Sequence, residues 1–131
     1  RNGLQHVAED HRGRWDALIT EAITGPPGLF NPNSYVVTAF QAALSAIVNT
    51  PVPSEQPADH LREALVAAIR IKDDTDTVAA IAGALLGARW GTGAIPEEWL
   101  NLVHGDRRRG STQITAGDLE ELARGALQPG K

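Results

Sequence analysis

The chain has 131 residues, a formal net charge of -4, 42% hydrophobic residues, 5% aromatic residues and no cysteine. That length allows one domain with a core of its own, small for an enzyme with its own cleft. The missing cysteine excludes disulfides, thiolate metal ligands and a cysteine nucleophile. The acidic balance argues against nucleic acid as a partner, and the run Arg107–Arg109 is too short to change it. No apolar stretch approaches the roughly 18 residues of a membrane span and no signal peptide opens the chain. No membrane partner is therefore expected, and a cytoplasmic location is.

Arg1 to Asp10 is weakly patterned, and His6 and His11 read as solvated surface. From about Gly13 to Thr24, Trp15, Leu18, Ile19, Ala22 and Ile23 recur at three- and four-residue steps, which predicts an amphipathic helix. Gly25-Pro26-Pro27-Gly28 ends it. The loop Gly28–Ser34 leads into a second helix, Tyr35 to about Asn49, with Asn33 or Ser34 as its N-cap. Val36, Val37, Phe40, Ala43, Leu44, Ile47 and Val48 are its expected apolar face. After Thr50-Pro51-Val52-Pro53, a third helix is expected from about Pro57 to Arg70. Leu61, Ala64, Leu65, Ala68 and Ile69 line its inner face, and His60 is expected at the surface of its first turn.

Next comes Asp73-Asp74-Thr75-Asp76-Thr77, directly before the small apolar run Val78 to Ala88. Two readings of these residues are open. Asp and Thr before an apolar run are ordinary helix-capping residues. Alternatively, the crowding marks a cation site: each like-charged pair at about 6 Å costs roughly 0.7–3 kcal/mol, against about 0.3–1 kcal/mol per anion returned by a helix N-terminus. Oxygen-only ligands would select a hard ion such as Mg²⁺, Mn²⁺ or Ca²⁺. A calcium loop counted from Asp74 fails, because Ala79 and Leu85 stand where it needs Gly and Glu. In the helix that follows, to about Gly91, Ala80, Gly83, Ala84, Gly87, Ala88 and Gly91 form a smooth surface. Glycines cost about 0.5–1 kcal/mol each inside a helix, so this helix is expected to be central and buried by close packing. Ile95-Pro96-Glu97-Glu98-Trp99-Leu100 predicts a short helix, Val103 to Gly110 a polar connection, and Thr115–Asp118 a capping box opening a last helix through Ala126. Leu119, Leu122, Ala123 and Ala126 are that helix's expected inner face, and Gln128 to Lys131 is a tail. With no strand-period pattern or repeat, the predicted class is all-α, a compact multi-helix domain forming part of a larger orthogonal helical fold.

The string Asp73-Asp74-Thr75-Asp76-Thr77-Val78-Ala79-Ala80-Ile81-Ala82-Gly83, continued by Gly87-Ala88, Gly91 and Ile95-Pro96-Glu97-Glu98-Trp99, resembles the C-terminal signature of the ADP-ribosylglycohydrolase family, which includes the dinitrogenase reductase-activating glycohydrolase. That signature runs Gly-(Gly/Asp)-Asp-x-Asp-Thr, an Ala/Gly-rich helix, then Ile-Pro-x-x-Trp; Lys72 departs from it where glycine is usual. The resemblance implies metal-dependent hydrolysis of an ADP-ribosyl glycosidic bond, in a modified protein side chain or a related small compound. It implies a binuclear Mg²⁺ or Mn²⁺ centre with Asp74, Asp76 and Thr77 as ligands and Asp73 supporting them. It also implies that Ser34, which replaces the family's usual glycine, and Tyr35 lie near the substrate's ribose and adenine. The catalytic base is unknown in this chain and expected in an N-terminal half bearing Thr-Asp-Asp ligands. Residues 1–131 thus read as the C-terminal portion of such a domain, in keeping with an opening Arg1 and no methionine. As an isolated piece it is expected to be inactive, with the N-terminal half as its partner. The alternative from the same superfamily is a non-catalytic, ADP-ribose- or metal-binding, crystallin-like protein.

Overall fold

The computed structural model describes residues 2–106 and 113–127; Arg107–Arg109 and the tail expected over Gln128 to Lys131 lie outside them. The chain is all-α, with one two-stranded exception, and divides into two compact units, Arg1–Ala94 and Ile95–Lys131.

The first unit is built from four helices: α1 (Glu9–Thr24), α2 (Val36–Asn49), α3 (His60–Arg70) and α4 (Thr75–Trp90). α1 begins earlier than its apolar pattern suggests. Glu9 and Asp10 occupy its first turn, where the helix dipole favours anions. Arg12 ties down the preceding segment by donating to the carbonyls of Val7 (2.8 Å) and Gln5 (3.1 Å).

α2 is the central helix, packed against α1, α3 and α4. Its sequence contains no charged residue, and it buries Ala39, Gln41, Ala42, Ala43, Ser45 and Ala46. This differs from the expected face: Val36 and Val48 are 67% and 44% exposed. Three neighbours crowd around α2, so the small side chains go inward, where they permit close approach. The polar ones among them are satisfied. Gln41 donates to the Leu18 carbonyl (3.1 Å) and the Glu21 carboxylate (2.8 Å), and Ser45 donates to the Gly25 carbonyl (2.8 Å). Trp15 of α1 meets Phe40 edge-on, with ring centroids 6.1 Å apart.

α3 buries His60, Leu61, Ala64 and Ala68. The surface position expected for His60 is wrong. It is 3% exposed, its Nδ1 accepts the Trp90 indole N–H at 3.2 Å, and its Nε2 lies 3.1 Å from both the Ile47 and Thr50 carbonyls. An indole N–H only donates, so the ring hydrogen sits on Nε2 and is shared between the two carbonyls. One imidazole thereby joins α3 to α4 and to the end of α2.

α4 packs against α2 and α3, but most of its small-residue surface does not make those contacts; at Gly83 an added Cβ would lie 3.8 Å from the Leu65 side chain of α3. Val78, Ala82 and Leu86 are buried, whereas Ala80, Ala84, Ala88 and Gly91 are exposed. A methyl group at Gly87 would meet nothing within 4 Å. The close packing expected of α4 belongs to α2.

The second unit contains α5 (Glu97–Leu100), an antiparallel pair β1 (His104–Asp106) and β2 (Gln113–Thr115), and α6 (Ala116–Ala126). Three-residue strands are too short to show alternation, so the segment from Val103 reads as a connection in sequence. The capping box is present. Asp118 accepts from the Thr115 hydroxyl (2.7 Å) and amide (2.8 Å), and the Asp118 amide donates back to the Thr115 hydroxyl (3.4 Å). Among the described residues the expected inner face of α6 is open: Leu119 and Leu122 are 48% and 53% exposed.

Candidate functional site

The acidic motif starts in the turn between α3 and α4. Lys72 and Asp73 both adopt positive φ, 71° and 67°. Residues with a Cβ pay about 1–2 kcal/mol each for left-handed backbone, so this turn persists only if its surroundings hold it.

The holding groups come from the loop before α2, some forty residues upstream. Asn31 donates through Nδ2 to the Ile71 carbonyl at 2.8 Å. Asn33 is fully buried and reaches three successive residues. Its Nδ2 donates to the Lys72 carbonyl (3.2 Å), its Oδ1 accepts the Asp74 amide (2.9 Å), and its own amide donates to Asp73 Oδ2 (2.7 Å). Ser34 Oγ donates to the same Asp73 oxygen at 3.3 Å. Asn33 therefore does not cap α2. The capping position belongs to Tyr35, whose side chain makes no capping bond.

These contacts divide the carboxylates by role. Asp73 is engaged by Asn33 and Ser34. Asp74 occupies the N-cap position of α4 but makes no side-chain capping bond; its carboxyl lies beside that of Asp76. Asp76 is held below the usual carboxylate range, first by that contact and then by the amides of Asp76 and Thr77. The N-terminal amides of α4 are thus met by Asp76, inside the helix, rather than by Asp74. Asp76 and Thr77 are exposed in the first turn and Asp74 is half-buried.

The structure thus brings Asp74 and Asp76 together with Thr77 beside them, and Asp73 together with Ser34. Tyr35 is 63% exposed; its carbonyl accepts from the Ala39 amide (2.8 Å) and the Thr38 hydroxyl (2.9 Å) in the first turn of α2. Asn31 and Asn33 are missing from the sequence-derived set. The Asn-Pro-Asn run was a visible signal, but local reading assigns it to capping.

Two carboxylates set side by side repel one another, and a divalent cation between them would offset that repulsion. The donors are all hard oxygens, the kind that suits Mg²⁺ or Mn²⁺. Among the described residues no group of three or more His, Asp or Glu side chains converges on one point. The motif fits such an ion as part of a coordination shell.

Comparison with known proteins identifies the family of the chain. The chain is 37% identical over 71 residues to the ADP-ribosylarginine hydrolase Tri1 of Pseudomonas putida (strain GB-1), covering 54% of this chain and 17% of that protein. It is 36% identical over 76 residues to the ADP-ribosylarginine hydrolase Tri1 of Serratia proteamaculans (strain 568), covering 57% of this chain and 19% of that protein. The matched region thus spans less than a fifth of each curated relative. No solved structure matches. The family model described as ADP-ribosylglycohydrolase matches residues 2–129, nearly the whole sequence. The chain belongs to the ADP-ribosylglycohydrolase family.

Proposed function

We propose that this chain contributes the acidic, metal-holding helix end of a site that hydrolyses ADP-ribosyl glycosidic bonds, with ADP-ribosylarginine in a protein as the substrate class its relatives' names suggest. The observation that carries this reading is the clustering of Asp74, Asp76 and Thr77 at the N-cap and first turn of α4, with Asp76 and Thr77 exposed, in a chain of this family.

In this reading Asp74, Asp76 and Thr77 hold Mg²⁺ or Mn²⁺. When bound, such ions supply positive charge that orients a ribose diol and acidifies a water molecule. Asp73, fixed by Asn33 and Ser34, supports the ligands from behind. Ser34 and the exposed Tyr35 stand at the neighbouring loop, placed to meet the ribose and adenine. The developing positive charge on the sugar calls for nearby carboxylates, and Asp74 and Asp76 offer two. The base that takes a proton from water, and the remaining ligands, come from a partner segment belonging to the same protein.

Calorimetric titration with Mn²⁺ or Mg²⁺ of the assembled protein tests the reading. Asp74→Asn and Asp76→Asn are each expected to weaken binding on the order of tenfold or more, because ligand charge sets the affinity of such sites. Undiminished affinity in both variants would overturn it.

A further inference from the structure

We propose that Asn33 is the positioning residue of the acidic motif, locking the Lys72–Asp74 backbone so that Asp73 is engaged by the upstream loop and Asp74 is set beside Asp76 at the start of α4. The proposal deepens the metal-site reading and rests on it for its functional consequence. Its structural basis is separate. A fully buried carboxamide with one donor and one acceptor brackets a turn containing two non-glycine residues at positive φ. Nδ2 takes the Lys72 carbonyl and Oδ1 takes the Asp74 amide. The backbone amide of the same residue takes the Asp73 carboxylate.

No other side chain of this size can replace both bonds. Aspartate at position 33 would set a carboxylate oxygen against the Lys72 carbonyl oxygen, and alanine would leave a buried carbonyl and amide unpaired. In either variant the left-handed turn loses what opposes its strain. Asp73 is then free to swing, and the Asp74 carboxyl loses its fixed origin. Asn31 is a weaker aid, since it holds only the Ile71 carbonyl.

Two NMR readouts on the assembled protein decide the matter: hydrogen exchange at the Asp74 amide, and Mn²⁺-induced broadening of the Asp74, Asp76 and Thr77 amides. Asn33→Asp and Asn33→Ala should speed Asp74 exchange by about tenfold or more. They should also weaken Mn²⁺ binding by about 10–100-fold, the usual effect of removing a residue that orients ligands. Asn49→Ala serves as the control for general destabilisation. Asn49 donates to the Gly25 and Ser45 carbonyls, away from the motif, so this variant should leave both readouts unchanged. Asp74 exchange unaltered in both Asn33 variants, or Mn²⁺ binding lowered equally by Asn49→Ala, overturns the proposal. If the Asn33 variants do not fold, the unsubstituted chain still decides, because rapid exchange at its Asp74 amide is incompatible with the bond to Asn33. A lack of Mn²⁺ broadening in the unsubstituted assembled protein sinks the metal reading instead, and leaves Asn33 to be judged by exchange alone.

Discussion

Lys72 turns the chain toward α4 with a φ of 71°, where the family signature usually has glycine. Glycine there would relieve about 1–2 kcal/mol of left-handed strain and return about 0.4–1 kcal/mol through a more flexible unfolded chain. Lys72→Gly should therefore stabilise the protein by about 0.5–1 kcal/mol, read as a higher denaturant midpoint; a lower one would mean that the side chain makes a compensating contact. Asp118 bears on pH. Its carboxylate is held below the usual range, first by the Thr115 hydroxyl and then by the Thr115 amide. A depressed carboxylate stabilises the folded state above the ordinary aspartate value of about 3.9, and that contribution is lost as pH falls through the lowered folded value. Acid titration followed at the Thr115 amide by NMR should show its bond to Asp118 intact at pH 5 (about one unit above that value) and lost only well below it. Asp118→Asn should abolish the transition. The Thr115–Asp118 box was legible in sequence because both partners lie within one helical turn. Asn33 and His60 were not, because their partners are distant: Asp74 in one case, Ile47 and Trp90 in the other.

At the scale of elements, the boundaries of α2 and α4 follow the sequence pattern closely, but the choice of buried face does not. α4 is apolar all the way round, so periodicity cannot select a side, and the tertiary fit chose Val78, Ala82 and Leu86. The glycines that suggested close packing are therefore available for a direct test. Gly87→Ala should raise stability by about 0.5–1 kcal/mol through helix propensity, since the added methyl meets nothing within 4 Å. Urea denaturation of the 131-residue chain measures it. A loss of stability would show that this surface is in contact in solution. β1 and β2 were hidden for another reason: His104-Gly105-Asp106 and Gln113-Ile114-Thr115 are held by pairing across the connection rather than by local preference.

For the whole molecule, all-α architecture follows from the helical periods and their Gly/Pro punctuation, whereas the pairing of the Asn31–Ser34 loop with the acidic turn depends on tertiary structure. Among the described residues the motif offers two neighbouring carboxyls and no group of three or more acidic or histidine side chains at the same point. The purified 131-residue chain is accordingly expected to release no ADP-ribose from ADP-ribosylarginine substrates, with turnover arising only when the partner segment is supplied. Measured release by the chain alone would mean that its reacting groups lie elsewhere. Metal binding without release by the assembled protein would favour a non-catalytic member. The fully buried side chains that the structure describes all precede residue 95, ending with Leu86. Mutational tolerance should follow that boundary. Among the described residues after Ala94 no side chain is fully buried, so substitutions in α5, α6 and the strand pair should be tolerated better than those at the buried positions of α2, α3 and α4.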